Sequence, residues 1–134
     1  MSLQNLYDRL ARHEANERYW EDQALGYSTQ VANLSSLLSH KQDQLAKAQA
    51  ADAACAVVED VAAGVKSIYE GTSDLAQQAK DASAALAAQL NEEVTNLGAS
   101  LSAAQANLDS ANASAASARS SASSVRSSIR WYRQ

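Results

Sequence analysis

LQNLYDRLARHEANERYWEDQALGYSTQVANLSSLLSHKQDQLAKA, residues 3–48, decides the fold. Within it Leu3, Leu6, Leu10, His13, Glu17, Trp20, Ala24, Tyr27, Val31, Leu34, Leu38, Lys41, Leu45 and Ala48 follow in steps of three and four that alternate without a slip. That is the a/d seam of a heptad repeat, which lays one stripe of a long helix against another helix. Most rungs are apolar. His13, Glu17 and Lys41 are not, and polar residues in a seam specify register and partner at some cost in stability.

Composition agrees. Among 134 residues there is no proline, and glycine occurs only at positions 26, 64, 71 and 98. Proline breaks helices and glycine weakens them, so long helices run uninterrupted. Alanine is the commonest residue, β-branched residues are few, and the fold class is all-α. Large apolar residues are sparse, so the chain is expected to bury a narrow seam along elongated helices with no thick centre. The length suits a single domain.

The first helix is expected from Ser2, as N-cap, to about Ala50, some 70 Å long. The ladder is lost in the small residues Ala51–Ala56, where a first turn is expected. A short helix over residues 56–70 follows, with Val58, Val61, Val65 and Ile68 as its stripe and Val57 and Tyr69 beside it. Glu70-Gly71-Thr72-Ser73-Asp74 then reads as a helix end, with Gly71 as C′ residue and Thr72 or Ser73 capping the next helix. The last helix, residues 73–131, carries a ladder through Leu75, Ala79, Ala82, Leu86, Leu90, Val94, Leu97, Leu101, Ala104, Leu108, Ala111, Ala115, Ala118, Ala122, Val125, Ile129 and Tyr132. Its four-residue steps from Ala82 to Val94 form a stutter. In residues 99–128, 21 of 30 are Ala or Ser, yet the phase holds and helix is expected. Folded back, the chain is an antiparallel helical hairpin with coiled-coil-like packing. Tyr19, Trp20, Leu25 and Tyr27 then face the small Ala/Ser half of the last helix, large against small.

Net charge is −4, too mild to dictate a charged partner. It divides into −7 over residues 1–98 and +3 over residues 99–134, where Arg119, Arg126, Arg130 and Arg133 oppose Asp109 alone. Four arginines on an acidic protein make no basic stripe, so nucleic acid is not expected as a partner. Near the end of a helix such cations complement its dipole. Cys55 is the only cysteine, which removes intrachain disulfides and thiolate metal clusters. The N-terminus reads as neither a cleaved leader nor a membrane span. The expectation is a cytoplasmic chain, exported, if at all, without a cleaved signal peptide.

Chemistry finds little support in the residue pattern. His13 and Glu17 share a helical face, but neither H-E-x-x-H nor a Glu-x-x-His pair accompanies them, and no metal or other cofactor is expected. The carboxylate pairs Glu21-Asp22, Glu59-Asp60 and Glu92-Glu93 point about 100° apart on a helix, which suits solvated faces better than acid/base work. No phosphate loop or nucleophile elbow appears, and two histidines on the first helix support no triad. No catalytic residue is assigned, and the chain reads as a non-enzyme. Trp131, in Arg130-Trp131-Tyr132-Arg133, is expected to overhang the shorter first helix, as an aromatic flanked by arginines does at interface hot spots.

Long helix, short middle segment and long helix resemble the WxG/ESAT-like hairpins of bacterial type VII secretion, especially the small proteins that accompany LXG-type toxins. The family's Trp-x-Gly turn aligns with Ala62-Ala63-Gly64, where Gly64 is kept and Ala62 stands for the tryptophan. Its Tyr-x-x-x-Asp/Glu export signal has no counterpart after Tyr7, Tyr19, Tyr27 or Tyr69, so a partner is left to carry that signal. The resemblance implies a chaperone or adaptor that pairs with another helical chain through its seam, and the candidate partner-binding residues are His13, Glu17, Trp20, Lys41, Gly64, Trp131 and Tyr132. The competing expectation is a self-assembling structural coiled coil of a phage particle or envelope scaffold.

Overall fold

The computed structural model describes residues 2–65 and 70–133. Two helices account for them, α1 (Leu3–Val65, 63 residues) and α2 (Glu70–Arg133, 64 residues). They pack against each other as an all-α helical hairpin, and no strand occurs among the described residues. Ser2 caps α1 as expected: its hydroxyl accepts from the Asn5 N–H at 3.1 Å, and its carbonyl accepts from the Leu6 N–H at 3.2 Å.

The chain divides into two compact units, residues 1–33 with 101–134 and residues 34–100. In unit 1 the helices run antiparallel, since Glu14 lies opposite Arg126 and Glu17 opposite Arg119. Leu6, Val125 and Ile129 form its apolar cluster, with Leu3 and Leu10 packed on it. Beyond them the core turns small on the α2 side, with Ala104, Ala111, Ala115 and Ala122 buried. Half-buried Trp20 and Tyr27 lie on the seam face of α1, and Trp20 lines a shallow depression together with Ser114, Ser117 and Ala118, large beside small as expected. The expectation does not hold for Tyr19 and Leu25, which are exposed because they stand off the seam. In unit 2, also antiparallel, Lys41 pairs with Glu93 and Asp52 with Lys80. Among the described residues, those buried there are Ala48, Ala62, Ala76 and Leu90.

Every rung from Leu3 to Ala48 is buried or half-buried. The expected break after Ala50 is absent. α1 continues through Ala51–Ala56, and the same phase goes on through Asp52, Cys55, Glu59 and Ala62, all buried or half-buried. Nothing in Ala51-Asp52-Ala53-Ala54-Cys55-Ala56 stops a helix. The seam is merely interrupted in polarity at Asp52, whose carboxylate is satisfied from α2. Residues 56–65 thus belong to α1, and there is no separate middle helix among them. Val58 and Val61 of the expected apolar stripe are exposed, as is Val57 beside it. Ile68 and Tyr69 lie outside the described residues, and of the Val65 side chain nothing is described.

α2 brings two further corrections. It begins at Glu70, so Gly71, Thr72 and Ser73 lie in its first turn, and no glycine adopts a positive φ among the described residues. Its buried row runs Ser73, Ala76, Lys80, Ser83, Ala87, Leu90 and on to Ile129 in unbroken three–four alternation. The stutter does not exist. It came from following the bulky Leu75 and Leu86, which are 69% and 51% exposed, instead of the small residues that share the phase of Leu90. Small and polar residues fill that row from Ser73 to Ala87, while Leu75 and Leu86 stand beside it.

Candidate partner-binding surfaces

Two of the three polar rungs, Glu17 and Lys41, are answered from within the chain. Arg119 extends from α2 with Nε 3.1 Å from Glu17 Oε1 and Nη2 3.1 Å from Glu21 Oε1. These two carboxylates raise the guanidinium's affinity for its proton, Glu21 having the larger effect. Arg126 Nη2 lies 3.6 Å from Glu14 Oε1. Glu14 and Glu21 flank the α1 seam and the two arginines flank that of α2, the positions from which charge pairs set helix orientation. Arg119 and Arg126 therefore act across the hairpin, while Arg130 and Arg133 sit in the last turn of α2.

Lys41 Nζ lies 3.0 Å from Glu93 Oε2, and Gln89 donates to Glu93 Oε1 at 3.4 Å. Lys41 first and Gln89 second hold the Glu93 carboxyl below its ordinary pKa. At Asp52, a further polar rung of α1, Lys80 Nζ and Ser83 Oγ each donate to Oδ1 at 2.8 Å. Lys80, then Ser83, lower the Asp52 pKa, and Asp52 in turn raises that of Lys80. Each of these groups keeps solvent contact, so each pair is worth far less than a buried one.

Of the candidate contacts His13, Glu17 and Lys41, two already have partners within the hairpin: α2 reaches Glu17 and Lys41 from its flanks with Arg119 and Glu93. His13 is half-buried beside Arg9 and Ser121 in a shallow groove that Ser124, Val125 and Ser128 complete. Among the described residues no group of three or more His, Cys, Asp or Glu could hold a metal ion, and Glu17 is committed to Arg119. No helix among them is long and apolar enough to cross a membrane.

No family model, curated protein or solved structure matches this chain.

The remaining candidates stand as follows. Trp20 is a seam residue, and the Tyr19 ring meets it edge-on at 5.0 Å. Gly64 lies in the last turn of α1, where a Cβ would meet open space. Trp131 is 78% exposed and Tyr132 is exposed beside it. Neither overhangs α1: with Glu14 level with Arg126, the eleven residues back to Leu3 carry α1 to the end of α2. Trp131 is in water because of the side of α2 it occupies. The sequence reading missed a larger set of exposed apolar residues, Tyr7, Tyr19, Leu25, Leu37, Val57, Val58, Val61, Leu75 and Leu86. Their signal was available, since every one of them falls between rungs of the strict three–four phase.

Proposed function

We propose that the protein is a non-enzymatic helical adaptor that binds another helical protein, of the kind represented by the N-terminal region of an LXG-type toxin in type VII secretion. One observation carries the reading. Much of the seam closes over alanines, while a set of large apolar side chains beside it, among them Tyr19, Leu25, Val61, Leu75 and Trp131, is left in water. In unit 1 the aromatic surface consists of Tyr7, Tyr19, Trp131 and Tyr132, residue types enriched where interfaces concentrate their energy. Arg130 and Arg133 border it, and arginine is enriched at such sites too. The hairpin has its own charge pairs at Glu17–Arg119 and Lys41–Glu93, so the partner is recognised by what projects outward and not by unsatisfied rungs.

Co-expression of the full chain with the helical N-terminal region of an LXG-type toxin tests this. The reading expects the two to co-purify at a fixed stoichiometry, and Trp131→Ala with Tyr132→Ala to weaken the complex by about tenfold or more. Independent elution of the two proteins at micromolar concentration would overturn it for that partner class.

A further inference from the structure

In unit 2 a second row of residues shadows the seam on each helix, one residue earlier at every step. On α1 the seam runs Asp52, Cys55, Glu59 and Ala62, and the second row Ala51, Ala54, Val58 and Val61. On α2 the seam runs Ala76, Lys80, Ser83 and Ala87, and the second row Leu75, Ala79, Ala82 and Leu86. The seam residues are buried or half-buried, and the second rows are exposed. An equal offset on two antiparallel helices puts both second rows on one side of the pair, and Ala51 and Leu86 line one shallow depression there. Lys47 lines it as well and pairs with Asp43 at 3.2 Å. The observed seam is the more polar choice, since it holds Asp52, Glu59, Lys80 and Ser83 where the second rows hold only Ala, Val and Leu.

We propose that unit 2 has a second seam: α1 and α2 turn about their own axes in opposite senses, as meshed gears do, and the second rows replace the observed ones between the helices. Packed helices switch between discrete arrangements of this sort because close packing favours distinct states over gradual deformation. The turn brings in Val58, Val61, Leu75 and Leu86, each more than half exposed in the observed state, and that burial favours it. Two things oppose it. Lys80 Nζ and Ser83 Oγ both donate to Asp52 Oδ1 at 2.8 Å, a bridge that lasts only while these three residues face one another. Winding is the other. The second rows join the seam through steps of three on α1 (Ala48, Ala51, Ala54) and steps of four on α2 (Ala82, Leu86, Leu90), which overwind the one helix and unwind the other. The Asp52 cluster is thus a latch. While it is closed unit 2 shows an apolar side to water, and once it opens Asp52, Glu59 and Lys80 move to the flank. The device belongs to the hairpin alone, so it stands or falls independently of any partner.

Urea unfolding of the full chain in two backgrounds tests this, the unaltered chain and the double variant Asp52→Ala with Lys80→Ala, which removes the latch. Val61→Gln and Leu75→Gln then place an uncharged polar group in the second row of each helix. Val61 lies about 13 Å from Asp52 along α1, too far for the two sites to touch, so with a single seam their effects add. The proposal expects Val61→Gln and Leu75→Gln to leave the midpoint of the unaltered chain unmoved and to lower that of the double variant by about 0.5 M or more each. Leu25→Gln, at an exposed position of unit 1, is expected to leave both midpoints unmoved. Circular dichroism without urea is expected to find the double variant as helical as the unaltered chain, because the second seam holds unit 2. Equal effects in the two backgrounds overturn the proposal, as does a midpoint already lowered by either substitution in the unaltered chain. Loss of helix in the double variant overturns it too, and so does Leu25→Gln acting there like the other two.

Discussion

Asp52 of α1 accepts 2.8 Å hydrogen bonds from Lys80 and Ser83 of α2, and so holds in phase a stretch of seam that otherwise offers only small side chains. The three residues lie on the seam face of their helices, although none is apolar. Removing the carboxylate leaves the Lys80 ammonium without its pair beside the seam. Asp52→Ala is therefore expected to melt measurably earlier than the unaltered chain, and Lys80→Ala on top of it to add little more. Lys47→Ala, which breaks only the exposed Lys47–Asp43 pair at 3.2 Å, is expected to leave the midpoint unmoved. A double-mutant cycle read by thermal melting checks the contrast.

Acid acts on the same groups. Asp52 and Glu93 have their carboxyl pKa values lowered from 3.8 and 4.5 by their lysine partners. A group with a depressed folded-state pKa contributes stability in full above its unfolded value and loses it as pH falls through the folded one. Stability is thus expected to hold from neutrality down to about pH 5 and then to fall. Lys80, raised above 10.5, loses its contribution only as pH climbs through that raised value. Melting curves of Asp52→Asn with Glu93→Gln should show a shallower acid limb than the unaltered chain; an equal slope contradicts this account of it.

How much of this could be read from the residues depends on where size and burial agree. From Leu3 to Ala48 they largely do, and every rung named from the sequence faces the seam. Where the seam turns small or polar, attention to bulk misled. Leu75 and Leu86 drew the eye from Ala76 and Ala87, and Asp52 looked like a turn residue when it is a rung with its own partners. Projecting the strict phase backward from Leu90 recovers Ser73, Ala76, Lys80, Ser83 and Ala87 at once. Of the candidate site residues, Glu17 and Lys41 were correctly seen as polar rungs. Their partners Arg119 and Glu93 were missed because they flank the seam, a relation that depends on register between distant parts of the chain.

Gly26 and Gly98 sit inside helices with open space where a Cβ would lie and no positive φ. Nothing in the fold uses their freedom. Gly26→Ala and Gly98→Ala are each expected to stabilise the chain by about 0.5–1 kcal/mol, close to additively. Urea unfolding followed by circular dichroism measures this, and a loss of stability in either variant contradicts it.

The close approach of the helices in unit 1 depends on alanine. Ala122 is 0% exposed, so Ala122→Leu must push the helices apart and is expected to cost about 1–3 kcal/mol despite adding apolar surface. Leu6→Ala, at the Leu6–Val125–Ile129 cluster, empties a site that one helix end can partly close, and is expected to cost about 2–3 kcal/mol. Chemical denaturation of both variants checks the pair.

The claim on which the rest depends is that the first part of α2 closes over its small residues while Leu75 and Leu86 face water. Two neighbours on α2 test it most directly, exposed Leu75 and buried Ala76. In urea unfolding of dilute protein, the account predicts that Ala76→Glu, which places a charge in the seam, loses about 2 kcal/mol or more. It predicts that Leu75→Glu, which removes the larger apolar side chain, changes stability by no more than about 0.5 kcal/mol. The opposite order, with Leu75→Glu the damaging substitution and Ala76→Glu tolerated, would contradict it.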